Sequence, residues 1–200
     1  MASVLIVFAT REGQTQKVAE RIAATLRSSG HAVELRDLER SAPKMDLSGF
    51  QAIFVGSPVR AEGYLRPVVR FAREHRAALD RVPSAFFSVG LAVLSKAHDG
   101  RAQTLEIVAR FVTRTGWHPR RVELVAGALP WSKYGFLVRL VMKRIVRKEG
   151  GDTDTSRDYE YTDWPAVDAF AREFVTAAVR PTPPAPQVQA SEAARPQARA

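Results

Sequence analysis

Thr10-Arg11-Glu12-Gly13-Gln14-Thr15 sets hydroxyl, amide and glycine residues directly behind the apolar run of residues 4–9. These types at this spacing suit anion binding. A chain passing from a buried strand into a helix presents the helix's first N–H groups unpaired, with the positive end of the helix dipole behind them. Gly13 lets the main chain come close, and Thr10, Gln14 and Thr15 add side-chain donors. The pattern reads as a phosphate cradle. It is neither a G-x-G-x-x-G dinucleotide fingerprint nor a P-loop. An ordinary polar turn has the same composition, so the other strand ends must decide.

Two of them have similar character. Residues 52–55 (AIFV) run into Gly56-Ser57-Pro58-Val59-Arg60-Ala61-Glu62-Gly63-Tyr64, which reads as a long loop with two glycines. Residues 84–89 (SAFFSV) run into Ser88-Val89-Gly90-Leu91 and a longer loop reaching Gly100. If these loops converge with the first, they flank a flat ring, with Tyr64 across one face and phosphate at Thr10 to Thr15. Arg60 and Glu62 either touch a substrate there or form a solvated ion pair.

The elements that would hold these loops alternate. Helical spacing of Val18, Ile22, Ala23 and Leu26 predicts a helix over 15–28. Residues 32–35 read as a second strand. A helix over 67–78 carries Pro67 in its first turn, and another over 103–115 closes at Gly116. Residues 122–126 form a fifth strand, 159–161 its continuation, and 164–179 a last amphipathic helix capped by Asp163. Strand–helix alternation predicts an α/β fold, a doubly wound five-stranded parallel sheet in order 2-1-3-4-5. Ligands of such sheets sit at the carboxyl ends of the strands, where strand order reverses. The folded domain is expected over 1–180. Residues 181–200, rich in proline and alanine without a large aromatic, are expected to be a disordered tail.

Composition narrows the partners. The apolar share is 46% and the charged share 26%, as in an ordinary globular domain. Without cysteine there is no disulfide, thiolate metal site or thiol nucleophile. His31, His75, His98 and His118 have no metal-ligand spacing, so no metal is expected. No basic region precedes the first apolar run, and none reaches the ~18 residues of a membrane span, so a cytoplasmic protein is expected. The net charge of +9 asks for an anionic partner.

Residues 130–155, PWSKYGFLVRLVMKRIVRKEGGDTDT, interrupt the alternation. On a helix Leu137, Val138, Val141, Met142, Ile145 and Val146 share one face, and Arg139, Lys143, Arg144 and Arg147 the other. With Trp131, Tyr134 and Phe136 beside it, this basic amphipathic insertion reads as a membrane-interface segment. Each basic residue near an anionic leaflet contributes roughly 1 kcal/mol. The alternative is a helix packed on its own domain with a solvated basic face. Nucleic acid is not expected, because the apolar face is wide and no binding motif occurs.

The Thr10–Thr15 stretch resembles the FMN phosphate loop of flavodoxins. FATREGQT, GSPVRAEGYLRPVVRFAREH, PSAFFSV, the AGAL ending strand five, GGDTDT (150–155) and YTDW (161–164) together resemble the flavodoxin-like menaquinone-dependent protoporphyrinogen IX dehydrogenases of bacteria. The resemblance spans about residues 3–179. It implies FMN as cofactor, held by Thr10, Arg11, Glu12, Gly13, Gln14, Thr15, Ser57, Pro58, Val59, Arg60, Tyr64, Ser88, Val89, Gly90 and Leu91. It implies six-electron oxidation of protoporphyrinogen IX in haem biosynthesis, with menaquinone or ubiquinone as acceptor. It places the protein peripherally on the inner face of the cell membrane, with Arg139, Lys143, Arg144 and Arg147 on lipid headgroups or substrate propionates. It names no general base and leaves the oligomeric state open. Two features depart from flavodoxins: residues 88–100 contain no aromatic, and the charge balance is basic. The rival readings are an electron carrier that docks by its basic surface and an NAD(P)H-dependent FMN or quinone reductase.

Overall fold

The computed structural model describes residues 1–40, 45–60, 63–95, 99–129, 131–133 and 154–179. Strand β1 (Ser3–Phe8) leads to helix α1 (Gln14–Ser28), β2 (Ala32–Asp37) and β3 (Ala52–Arg60). A short β4 (Gly63–Tyr64) turns back on β3 before α2 (Arg66–Glu74) and α3 (Arg76–Arg81). Then come β5 (Ser84–Gly90), α4 (Gly100–Thr115), β6 (Arg121–Ala126), β7 (Ala128–Leu129), β8 (Tyr159–Glu160) and α5 (Trp164–Val179). Five strands form the parallel sheet in order β2-β1-β3-β5-β6, the expected doubly wound arrangement.

The apolar runs alternate between two cores, as strands covered on both faces must. Val4, Ile6 and Phe8 of β1 and Phe54 of β3 face α1 and α5, meeting Ile22, Leu26, Phe170 and Phe174. Phe54 sits edge-on to Phe170 and Phe174, with ring centroids 5.4 and 5.0 Å away. Leu5, Val7, Ile53 and Phe86 face the other way, towards Val68, Phe71, Leu79, Val108 and Phe111 of α2, α3 and α4. At the end of α4, Gly116 takes the left-handed conformation (φ 72°) that closes the last turn through its N–H on the Val112 carbonyl.

Three expectations are corrected. Ser57–Arg60 is strand, paired to β5 through Ser57↔Ser88 and Pro58↔Val89 and to β4 through Val59↔Tyr64. The second loop is therefore a hairpin arm. The helix expected over 67–78 is broken at His75 (φ −106°, ψ 13°), whose ring stacks on Phe71 at 4.5 Å. Tyr159 and Glu160 do not continue the fifth strand; they pair antiparallel with Leu129 and Ala128 in a separate ladder. Arg139, Lys143, Arg144 and Arg147, and the tail over 181–200, lie outside the described residues.

Candidate functional site

The carboxyl ends of β1, β3 and β5 meet where the strand order reverses, between β1 and β3. Thr10–Gly13 emerges there. The Thr10 hydroxyl oxygen accepts the Gly13 N–H at 3.1 Å, closing a tight turn. Gly13 caps α1 with φ 98°, a conformation other residues adopt only under strain. No side chain caps α1, and its first turn contains no acidic residue. Glu12 is drawn off by an ion pair with Arg60 across from the hairpin arm. Main-chain donors, a dipole's positive end and no competing carboxylate in the turn are what a phosphate group requires, so the residues present fit FMN.

The loop is braced from outside its own sequence. Gln14 Nε2 donates to Thr162 Oγ1 at 2.9 Å, and that hydroxyl donates to the Ala126 carbonyl at the end of β6 at 2.7 Å. Lys17 Nζ donates to Glu160 at 2.7 Å, and Trp164 Nε1 reaches the same carboxylate. The Lys17 contact is the main reason that the Glu160 carboxyl is held below the usual carboxylate range. Thr15 is buried. Arg11 is exposed.

Not every candidate side chain faces outward. Ser57 and Ser88 are fully buried. Ser57 Oγ accepts the Leu65 N–H at 3.2 Å, and Ser88 Oγ accepts the Tyr64 hydroxyl at 2.9 Å. Both serines thus tie the hairpin arm to the sheet. Pro58 and Val89 are buried within the paired strands, and Val59, Gly90 and Leu91 are half-buried at their ends. The picture of Tyr64 as an open ring cover is corrected: its ring lies edge-on to Phe86 and Phe111 at 4.8 and 5.2 Å, filling the α2–α4 core. Burial pushes its phenol up to about 12, against the pull of the Ser88 hydrogen bond. Glu62 lies outside the described residues.

Trp131 also differs from expectation. It is fully buried and packs on Leu129, with Leu91, Tyr159 and Tyr161 against them, so it is part of the insertion's root and not a membrane-facing ring. Asp158 closes that root by accepting from the Ser132 N–H at 2.8 Å and the Ser132 hydroxyl at 2.6 Å. No helix among the described residues is long and apolar enough to cross a membrane.

The Flavodoxin domain model matches residues 5–156. Protoporphyrinogen IX dehydrogenase (quinone) of Escherichia coli strain K12 is 33% identical over 179 residues, covering 89% of this chain and 97% of that protein. The chain belongs to this family of flavodoxin-fold oxidoreductases. The Leishmania major protein of the same name is 29% identical, over 92% of this chain and 80% of its own length. Among solved structures, oxidised flavodoxin 1 of Bacillus cereus superposes with a TM-score of 0.51 at 15% identity, over 88% of this chain and 98% of its own. Rubredoxin oxygen:oxidoreductase of Desulfovibrio gigas gives 0.53 at 16%, over 88% of this chain and 36% of that one. These two likenesses establish the fold. Family and fold together indicate a flavin cofactor.

The bracing role of Thr162 is a feature that motif reading does not assign. Its signal was the YTDW motif at 161–164, which can be seen in the sequence but gives no hint of the partner.

Proposed function

We propose that this chain oxidises protoporphyrinogen IX to protoporphyrin IX with FMN as cofactor and a membrane quinone, menaquinone or ubiquinone, as acceptor. The observation that carries the reading is the likeness to the Escherichia coli dehydrogenase along 97% of that protein's length. The uncapped start of α1 with Gly13 at its head supports the cofactor part of it. Bound FMN would supply two-electron redox chemistry, so the six-electron oxidation takes three turns and reduces three quinones to quinols.

The protein's own part is positional. The N–H groups of the first turn of α1, after Gly13, hold the phosphate, and the Thr10–Gly13 turn fixes their direction. The Glu12–Arg60 pair ties the first loop to the hairpin arm. Gly90 ends β5 and Leu91 follows it, neither of them aromatic, which leaves width for a large flat substrate. Arg139, Lys143, Arg144 and Arg147 meet lipid headgroups or propionates, and hold the protein peripherally on an anionic membrane surface from the cytoplasmic side.

The test is an anaerobic assay of porphyrin fluorescence with FMN-loaded protein and a quinone. Fluorescence should grow only with both FMN and quinone present. A protein that keeps FMN but gives no rate above background is an electron carrier, and the enzyme reading fails. Gly13→Val should weaken FMN retention at least about tenfold, because a branched residue resists the φ of 98°. Because Trp131 is buried, the insertion is better tested by changing Arg139, Lys143, Arg144 and Arg147 to Gln than by deletion. Vesicle binding should fall with FMN retention unchanged.

A further inference from the structure

A cleft of about 750 Å³ lies alongside α2 and the last turn of α4, lined by Tyr64, Arg66, Val69, Arg70, Arg73, Glu74 and Arg114. Four arginines are grouped there. Among the described residues none of Arg66, Arg70, Arg73 or Arg114 makes an ion pair with a carboxylate, Glu74 included. Arg66, Arg70 and Arg73 fall at i, i+4 and i+7 on one face of α2, a stripe roughly 10 Å long at the rise of a helix.

Helix dipoles account for part of this pattern. Arg73 and Arg114 occupy last turns, where a cation is favoured. Arg66 is the reverse case. It opens α2 at the positive end of the dipole, beside Leu65, which caps nothing with its side chain, and no acidic residue occupies the first turn. Arg70 has no terminus to complement. A cleft lined by one sign of charge focuses the field and draws anions in. The walls are not uniformly polar: Tyr64 contributes a ring and Val69 a buried aliphatic surface. Guanidinium forks match carboxylates two bonds at a time, and a stripe of this length spans two such groups.

We infer that the α2–α4 cleft binds the paired propionates of a tetrapyrrole. The identity of that dicarboxylate rests on the proposed function; the anion preference rests on the cleft alone. Tyr64 is one wall of the cleft; its hydroxyl bonds to Ser88 near the end of β5 and its main chain pairs with the hairpin arm carrying Arg60. Arg66, two residues after the hairpin, is the cleft cation nearest in the chain to the candidate cofactor loops, and in this account the ring system lies at that end. Arg66, Arg70 and Arg73 are positioning residues in this account.

The experiment titrates FMN-loaded protein with protoporphyrin IX and with its dimethyl ester, following porphyrin fluorescence. The free acid should bind, and the ester about tenfold more weakly or worse, because its acid groups are masked. A variant combining Arg66→Gln, Arg70→Gln and Arg73→Gln should lose that preference while retaining FMN and its circular dichroism. Arg172→Gln, on α5, removes the same kind of charge elsewhere and should keep the preference. Inorganic pyrophosphate should compete with the free acid. Equal binding of acid and ester, or a triple variant that still prefers the acid, overturns the inference. Turnover on the same samples separates the two claims. An active triple variant with unchanged KM removes the cleft and leaves the enzyme. An inactive wild type that keeps its acid preference leaves the cleft and removes the enzyme.

Discussion

On the α1–α5 side of the sheet, Lys17 sits on Glu160, Arg21 on Asp168 and Arg121 on Glu173. On the α2–α4 side, Arg66, Arg70, Arg73 and Arg114 share a cleft without a carboxylate partner among the described residues. Both sides bury an apolar core of the same sheet, so the contrast is not one of folding need. The pairs of Lys17 and Arg21 brace α1, and with it the first loop, against β8 and α5, and Arg121 ties β6 to α5; on the other face Arg76 pairs with Asp80 within α3, outside the cleft. The clustered cations of the cleft repel one another, and apart from the helix-end placement of Arg73 and Arg114 they gain nothing internally. They make sense as groups reserved for a partner from outside.

The largest effect should come from the scaffold side. Phe54→Ala removes a ring wedged edge-on between Phe170 and Phe174 and should cost about 3–5 kcal/mol in denaturant unfolding. A loss under about 1 kcal/mol would show that α5 is not held through that ring. Next is Asp168. It accepts from Arg21 Nε at 2.8 Å, a second Arg21 nitrogen at 2.6 Å and Thr25 Oγ1 at 2.6 Å. The Arg21 hydrogen bonds, more than any other contact, hold its carboxyl down to about 2. A depressed folded pKa contributes stability that is present above the ordinary carboxylate range and is lost as pH falls from about 4 towards 2. Asp168→Asn should lose under about 1 kcal/mol at neutral pH, since solvent screens the pair, and its stability should fall less steeply over that acid window. An unchanged acid profile would mean the pair does not brace α1. The smallest effect is expected in the cleft. Arg70→Gln should shift stability by no more than about 0.5 kcal/mol, and upward, because it relieves repulsion. If Arg70→Gln destabilised as much as Asp168→Asn, the contrast between the two sides would collapse.

Much of this was legible from residue types. Continuous apolar runs gave strands buried on both faces, and the 3.6-residue spacing gave α1 and α5; the last helix occupies 164–179 as read, with the Asp163 carboxylate accepting the Ala166 N–H at 3.0 Å. The hairpin arm was hidden because Pro58 and two glycines are loop signals, and only tertiary pairing with β5 makes Ser57–Arg60 a strand. The break at His75 was hidden because Val68, Phe71, Ala72 and Leu79 feed one core across it, so periodicity continues. In the site, the anion-binding character of Thr10 to Thr15 could be read locally. The hold of Thr162 on Gln14 could not, since 148 positions separate them. The stripe of Arg66, Arg70 and Arg73 was present at helical spacing, but its lack of partners is a fact of three dimensions.

The narrow neck formed by the β7–β8 ladder and the Ser132–Asp158 bonds means that whatever leaves the sheet after Leu129 returns at a fixed point beside it. With the two stems already joined, doubling the length of a connection between them costs only about 0.6 kcal/mol of closure entropy. That makes residues 133–157 an exchangeable cassette. A chimaera that takes this stretch from a relative, joined at Ser132 and Asp158, should still fold and retain a flavin.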